Sequence, residues 1–586
     1  MQVLDLIRAA WILLIFALAF FLFPGYVFSG RGSSTITLRM TGNFARMLLL
    51  ATLAAVLLAS LKIFNTTTVV SLFLGTMLIT WLRKRARTSQ NWITALQEAV
   101  IAVVRLIEQR AIFRPLDAPI SSSEQPTAKW WQKLLHGREA LAAAFAVVLI
   151  ITGVLQFAHP LRELRLDRPE QYEVLLRGRE LVLNLHVYQR PLVFPSILAM
   201  VSFLSSADPM QVMRFLCPVL QIFLVLAGGL LLRECTQGAV AAVAAMYLLG
   251  TSALRPTITD TPVPISMVEK LESFLRSSVA GNGGSPETVV GLLCVLLALV
   301  FLADWRKNSE SWDSLVDAGC CLVLAGMVSQ FLFVVGVLAA GAVLLVPLLG
   351  IAVFVASCYA WAIFAALSTT VSVPSELRLA LPFAAVLCLC GVLGFVEFKL
   401  ITPMGSAAQV LLLLGCLAVV AVWLRPHAPA SQYLEYDKAA TETQLIAHRF
   451  PRQTWVVVAP TEQLAETLGL GGYEDLTEFV GKYEEQASDP AFRVPNAPED
   501  LFIYVEKTPF QYFTREPESV PLATLVDTTY RSYRSPAGRA SLESAAQQLC
   551  ESYRLTHADT DVFYEDQDLR IYHVHRASNQ KAEAGG

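Results

Sequence analysis

GSAAQVLLLLGCLAVVAVWLRPHAPASQYLEYDKAATETQLIAHRFPRQTWVVVA, residues 405–459, passes from one solvent to another. Residues 405–424 carry no charge and reach the length of about 20 apolar residues that a bilayer core requires of a helix. From Tyr433 the pattern changes. Tyr436–Phe450 has helical spacing among charged residues, and Thr454–Ala459 (TWVVVA) reads as a buried strand. The chain therefore divides near Arg425 into a membrane-embedded part and a soluble tail, 426–586.

Working back from that boundary, the same apolar signal recurs at 9–28, 46–63, 66–82, 139–157, 213–233, 237–253, 287–305, 314–331, 333–349, 351–369 and 379–398, about twelve spans in all. Composition agrees: 55% of the 586 residues are hydrophobic and 16% charged, with a mean hydropathy of +0.52. A soluble fold has too little interior for so much apolar surface. A net charge of −3 gives no reason to expect nucleic acid as a partner. Of ten cysteines, all but Cys550 fall in or beside apolar stretches, without a disulfide framework or paired CxxC spacing. Cys388 and Cys390 read as small core residues. Met1–Ala10 holds one basic residue, Arg8, ahead of the apolar run Trp11–Phe23, and no small-residue cleavage site follows cleanly, so the expectation is a retained first span.

Lysine and arginine in short loops set orientation. Arg31, Arg39 and Arg46 lie between the first two expected spans, Arg83, Lys84, Arg85 and Arg87 follow the third, and Arg306 and Lys307 follow the seventh. These loops share one side, read as cytoplasmic, which leaves loops 158–212 and 254–286 and the tail outside. Asn91–Arg110 has the spacing of an amphipathic helix at the inner face, Ser121–Thr127 reads as a linker, and Trp130–Trp131 as an interfacial anchor. The organisation expected is a three-span accessory module (1–88), a cytoplasmic amphipathic segment (89–137), a transmembrane core (138–425) and a soluble α/β domain (426–586).

The first external loop carries the most chemistry. It opens with Glu163, Asp167 and Glu170 interleaved with Arg162, Arg165 and Arg168. A helix-like run leads to Tyr188-Gln-Arg-Pro191 and Phe194-Pro195, then to an apolar segment, Ser196–Leu204, too short to span. Asp208-Pro209 starts the next span, with Arg214 at its outer end.

That order resembles the bacterial GT-C glycosyltransferases, multi-span enzymes that take a sugar from a polyprenyl-phosphate carrier at the outer membrane face. Their pattern sets an acidic residue a few positions before an aromatic residue or histidine, just after the first core span. A YPPG-like turn, an apolar half-helix, an Asp-Pro or Gly-Asp turn and an arginine heading the second core span follow. Here Asp167-Arg-Pro-Glu170-Gln-Tyr172 matches the acidic element, and Tyr188-Gln-Arg-Pro191 to Phe194-Pro195 stands for the turn without its doubled proline. The resemblance covers about 138–425 and implies a GT-C-like core.

It also implies roles. Glycosyl transfer from a lipid phosphate needs a base for the attacking group and a cation for the departing phosphate. Asp167 is the expected base, with Glu170 or Asp260 assisting. Arg214 and Arg255 are expected at the phosphate, because a guanidinium holds two of its oxygens at once, and Tyr172, Tyr188 and Glu269 are expected at the substrate. Asp260 and Glu269 belong to the second external loop, Leu254–Glu287, whose Gly281–Gly284 stretch suits a substrate-ordering segment. Plainer readings stand beside these: interleaved carboxylates and arginines form solvated helix faces, Thr-Asp-Thr-Pro is an ordinary turn, and Arg214 snorkels to head groups. The partners implied are a polyprenyl-phosphate-linked sugar, a glycan, lipid or protein acceptor, and membrane lipids. The cofactor implied is none, or a divalent cation such as Mg2+ or Mn2+, with no ligand set assigned.

Two further polar positions lie near apolar runs: Gln330, at the outer end of the eighth span, and Glu397, expected to be wet and paired with Lys399. In the tail, Glu462–Leu468 and Ser541–Tyr553 read as helices, Leu501–Glu506 as a strand, and Val562–Tyr564 with Leu569–Val574 as a hairpin. His573 and His575 share one face of a strand, but with no third ligand evident they read as an exposed pair on an edge strand. No Gly-rich phosphate loop, HExxH or GxSxG occurs in the tail, which is given a role in shaping the acceptor site by resemblance alone. The overall expectation is a glycosyltransferase of a bacterial inner membrane; a transporter or lipid flippase, or a non-catalytic envelope scaffold, are the alternatives. No internal repeat of the transporter kind is evident.

Overall fold

The computed structural model describes residues 2–28, 36–87, 137–185, 193–251, 285–308, 312–367, 375–404, 406–423, 433–460, 462–494, 499–508, 510 and 536–575. The chain forms two compact units. One comprises Met1–Ala158 with Tyr188–Ala430, and the other His159–Val187 with Ser431–Gly586. The segment 159–187, read from the sequence as a loop of the core, thus folds with the tail.

The first unit is helical. Within a bilayer every backbone N–H and C=O needs a partner in its own segment, and uninterrupted Leu, Val and Ala runs meet that need as helices. Among the described residues eight helices are long and apolar enough to cross a membrane: Asp5–Val27, Thr37–Ser60, Thr66–Arg83, Ala140–Phe157, Pro209–Thr236, Pro286–Lys307, Pro347–Phe364 and Leu379–Met404. Val193–Ser205, Ala239–Gly250 and Gln330–Leu345 are shorter apolar helices. In the crowded stretch from 312 to 367 the helices break at Ser329 and at Val346, both extended, rather than at the expected 331–333 and 349–351. Pro286–Lys307 is apolar around its whole circumference and is enclosed by its neighbours, as a central helix must be.

Contacts fix the direction of several helices. The Lys307 ammonium meets the Glu234 carboxylate at 2.6 Å, so Pro209–Thr236 and Pro286–Lys307 end together and run parallel. Leu141 shares a buried cluster with Val240 and Leu413, and a Cβ on Gly250 would touch Thr152, so Gly137–Phe157 runs parallel to Ala239–Gly250. The turn at Thr236–Gly238 and the end of Ser375–Val396 lie together, since Cβ atoms at Gly394 and Gly238 would meet Thr236 and Glu397. One face of this unit therefore carries 157, 209, 250 and 285, and the opposite face carries 236–238, 307 and 397. Trp11 joins the first face by donating to the Ser205 carbonyl at 3.1 Å.

Arg46, expected in a loop, lies inside the helix Ile36–Ser60. Its guanidinium contacts Asp317 at 2.5 Å and Asp313 at 3.2 Å on the helix Trp312–Val328. Gly42, one turn earlier, makes room for that pair, because a Cβ there would sit 2.1 Å from the Asp317 carboxylate.

The second unit is α/β. Its sheet has the order β2-β1-β3-β5-β4, with β1 Trp455–Ala459, β2 Gly472–Asp475, β3 Asp500–Glu506, β4 Thr560–Glu565 and β5 Leu569–His575. β1 pairs parallel with β2 and β3, and β5 pairs antiparallel with β3 and β4. Alternation along the strands supplies two cores. Val458, Leu501, Ile503, Tyr572 and Val574 face Leu542, Leu549 and Tyr553 of the helix Pro536–Thr556. Trp455, Val457, Phe502, Tyr504 and Ile571 face Ala439 and Ile446 of the helix Asp437–Arg449. Every element expected in the tail forms. The described residues of the tail also form β2 and the helix Leu476–Tyr483, which were not expected.

Candidate functional site

The loop that carries Asp167 and Glu170 is held to the α/β unit by polar bonds. Asp437, first residue of its helix, accepts the backbone N–H groups of Leu164 at 2.7 Å and Arg165 at 3.2 Å. Arg165 donates to Glu163 at 2.6 Å and to the Glu435 carbonyl at 2.9 Å, with its guanidinium stacked 3.4 Å over the Tyr433 ring. Pro169 then starts a helix, Pro169–Val182, from an extended Arg168. Glu170 lies in its first turn, where the helix dipole favours an anion. Near its end Arg179 donates to the Leu468 carbonyl at 3.1 Å.

Asp167 and Glu170 are both partly exposed. Asp167 lies 3.6 Å from the Arg168 guanidinium, with 22% of its side chain exposed. Tyr172, by contrast, is wholly buried and gives its hydroxyl hydrogen to Glu435.

Glu435 opens a polar cluster that sequence reasoning did not find. Gln463 also donates to it, and Glu466 and Glu462 lie close by on the helix Glu462–Thr467. Burial pushes the Glu435 carboxyl well above its usual range; the negative charges of Glu466 and Glu462 add to this, and the Tyr172 hydrogen bond opposes it. Next to it Arg539, itself buried, forks onto Glu506 at 2.8 and 2.6 Å and reaches Glu462 at 3.9 Å. Glu543 accepts the Glu506 backbone N–H at 2.8 Å and is pushed well above the usual carboxylate range, first by burial and then by the Glu506 charge. The buried glutamates Glu435, Glu462, Glu466, Glu506 and Glu543 thus form one acidic cluster that includes the buried Arg539 guanidinium. The cluster stands at the carboxyl ends of β1 and β3, where open α/β sheets commonly place their polar sites. The only hint in the sequence was the charge density of Glu462-Gln-Leu-Ala-Glu466 straight after a buried strand.

Among the described residues one group of three side chains is spaced to hold a metal: Asp500, His573 and His575. The third side chain, absent from the sequence reading, is Asp500, and β5 is an interior strand between β3 and β4, not an edge. No such group gathers at Asp167 and Glu170 among the described residues.

In the helical unit Asp208 caps the helix Pro209–Thr236 by accepting the Met210 N–H at 2.9 Å, and Arg214 is buried in its second turn, 5.3 Å from the Phe215 ring. Glu287, in the first turn of the central helix, is a second buried charged residue on the same face of this unit that the sequence reading passed over. Tyr188, Arg255, Asp260 and Glu269 lie outside the described residues, as do Asn91–Arg110, Ser121–Thr127 and Trp130–Trp131. Gln330 opens a helix just after the Ser329 break. Glu397 corrects the expectation of a wet pair with Lys399. It is completely buried and accepts the backbone N–H groups of Ala239 at 3.1 Å, Val240 at 3.0 Å and Ala241 at 3.0 Å. A helix start with unbonded amides attracts a carboxylate more strongly than a lysine across a turn does.

The class these features define is a multi-pass helical membrane protein with an α/β unit built from two separate chain segments. No family model, curated protein or solved structure matches the chain.

Proposed function

We propose that this protein is a GT-C-type glycosyltransferase that moves a sugar from a polyprenyl-phosphate donor to an envelope acceptor at the outer face of a bacterial inner membrane. The observation that carries the reading is the half-length helix Val193–Ser205. It is 13 residues long, buried along nearly its whole length, and turns at Ser206–Asp208 into the helix bearing Arg214. A buried helix too short to cross leaves polar backbone at membrane depth, which is tolerated where a cavity or site is lined. The directions of Gly137–Phe157, Pro209–Thr236, Ala239–Gly250 and Pro286–Lys307 put residues 157, 209, 250 and 285 on one face, which supports a reading in which both acidic loops leave from one side. His159–Val187 and Ser431–Gly586 fold as one body, which needs them on that same side.

In this reading Asp167 takes the proton of the acceptor hydroxyl as its oxygen attacks the anomeric carbon, and the bond to the polyprenyl phosphate breaks. Glu170 and Asp260 assist. Arg214 and Arg255 take up the phosphate charge, and Tyr188 and Glu269 contact substrate. Tyr172 acts by fixing the Asp167 loop. An apolar cleft of about 840 Å3, lined by Leu18, Phe23, Phe73, Met77, Trp81 and Leu204, suits a hydrocarbon chain. The test is purified protein in vesicles with radiolabelled polyprenyl-phosphate sugars. Discharge of the lipid is expected, with a loss of at least a hundredfold in Asp167→Asn that still inserts. Transfer surviving within a few-fold in that variant removes Asp167 from the mechanism.

A further inference from the structure

We infer that the α/β unit binds one divalent transition-metal ion, Zn2+ by its donor set, through Asp500, His573 and His575. Strand register brings the three together. Asp500 lies opposite His575 in the β3–β5 ladder, and His573 is two residues back along β5, so all three side chains leave the same face of the sheet. His573 Nε2 stands 2.8 Å and His575 Nδ1 2.7 Å from the same oxygen, Asp500 Oδ1. Bonds to Zn2+ of about 2.0–2.1 Å set neighbouring ligand atoms roughly 2.9–3.4 Å apart, so the site accepts an ion after opening by a few tenths of an ångström.

A second observation points to a cation. The other nitrogen of the same ring, His573 Nδ1, faces Asp561 Oδ1 at 3.3 Å, and Asp561 lies opposite His573 in the β4–β5 ladder. A neutral imidazole has one N–H and therefore satisfies one of two facing carboxylates. With its hydrogen on Nδ1 toward Asp561, Nε2 presents its lone pair on the side of Asp500, as a ligating nitrogen presents it to a metal ion. A ligating histidine whose far nitrogen is held by a carboxylate is the usual arrangement around protein-bound zinc. Ring orientation is fixed as well, because Phe502 stacks on His573 at 4.6 Å with planes 4° apart. Asp500 is buried, whereas the His575 side chain is 61% exposed, giving the ion a way in from solvent. Two imidazoles and one carboxylate match Zn2+ better than Mg2+ or Ca2+, and three protein ligands leave a fourth position for water or a substrate oxygen.

This inference is independent of glycosyl transfer, and its test reads metal alone. Untagged full-length protein in detergent, stripped with EDTA and dialysed, is titrated with Zn2+ by calorimetry, and its metal content is measured after gel filtration. One Zn2+ per chain is expected. His575→Ala, at an exposed position, should weaken binding at least tenfold, and Asp561→Asn should weaken it about 10–100-fold. His448→Ala, at an exposed helix end elsewhere in the unit, should leave binding unchanged. Substitution of Co2+ should give visible absorption that His575→Ala loses. Absence of stoichiometric Zn2+ in the wild-type protein, or equal affinity in wild type, His575→Ala and Asp561→Asn, overturns the assignment.

Discussion

Tyr172 and Glu435 are bonded to each other in the interior of the α/β unit, although 263 residues of chain separate them. The loop that follows the helix Gly137–Phe157 is therefore part of that unit's core. Tyr172→Phe keeps the ring and removes the hydroxyl, leaving Glu435 one donor short. The expected cost is about 1–3 kcal/mol. Limited proteolysis should cut faster within 159–187 in this variant than in wild type. An unchanged cutting rate would show that the hydroxyl does not secure the loop.

The same cluster gives the unit a pH dependence of definite sign. Glu435 and Glu543 are both held above the ordinary carboxylate value of 4.5, chiefly by burial. The stability they confer is complete below about pH 4.5 and is lost as pH rises through their raised values. Glu565, held down to about 2 by Lys507 and Arg570, titrates below that window. Thermal unfolding followed by near-ultraviolet circular dichroism should fall between pH 5 and pH 9, and Glu435→Gln should flatten the slope. A slope as steep in the variant as in wild type would acquit Glu435.

Arg539 makes a two-bonded fork with Glu506 in a buried setting, and such pairs are costly to break from one side. Arg539→Met should destabilise the unit by about 3–5 kcal/mol, a large part of the stability of an ordinary domain. The double variant Arg539→Met with Glu506→Gln removes the stranded charge and should recover part of that loss. A double-mutant cycle in denaturant measures the coupling directly. Additive effects would mean that the two side chains act independently.

In the helical unit Glu397 occupies the start of the helix Ala239–Gly250 in place of solvent. Glu397→Ala leaves three amide donors in an apolar surround, each costing about 1–3 kcal/mol if it finds no other acceptor. Fluorescence-detected gel filtration after heating should show a clearly lower transition for Glu397→Ala, with Glu397→Gln in between. Lys399→Ala should have little effect. The reverse ranking would restore the local pair read from the sequence.

The readable parts of this chain were those whose pattern is local. Apolar length gave the helices, TWVVVA and LFIYVE gave two central strands, and Asp208-Pro209 announced a helix start that the structure caps as expected. What stayed hidden depends on partners distant in sequence. β2 (GYED) has little strand propensity of its own and forms because β1 offers a parallel partner; Gly471 permits it, since a Cβ there would lie 2.4 Å from the Trp455 ring. Asp500 is 73 residues from His573, and only the strand register makes them neighbours. Glu397 and Lys399 look like a pair because they are two residues apart in the chain, whereas the helix-start amides of Ala239–Ala241 are more than 150 residues away. The charge of Arg46 suggests a loop, yet its partners Asp313 and Asp317 let it lie within a helix.

Orientation in the membrane is open to direct measurement, and the proposed enzyme depends on it. Arg162 and Leu555 are both exposed, Leu555 by 83%, and both belong to the α/β unit, so they must lie on one side of the bilayer. Asn308, exposed after the helix Pro286–Lys307, belongs to the opposite face of the helical unit from the end of Gly137–Phe157. In a background free of native cysteines, Arg162→Cys and Leu555→Cys should react with a membrane-impermeant maleimide in intact spheroplasts, and Asn308→Cys only after lysis. Opposite labelling of positions 162 and 555 would refute the two-segment unit itself. Labelling of both only after lysis would keep the fold but turn it over, setting Arg306 and Lys307 outside against the charge rule and Asp167 in the cytoplasm, with a donor at the outer face beyond its reach.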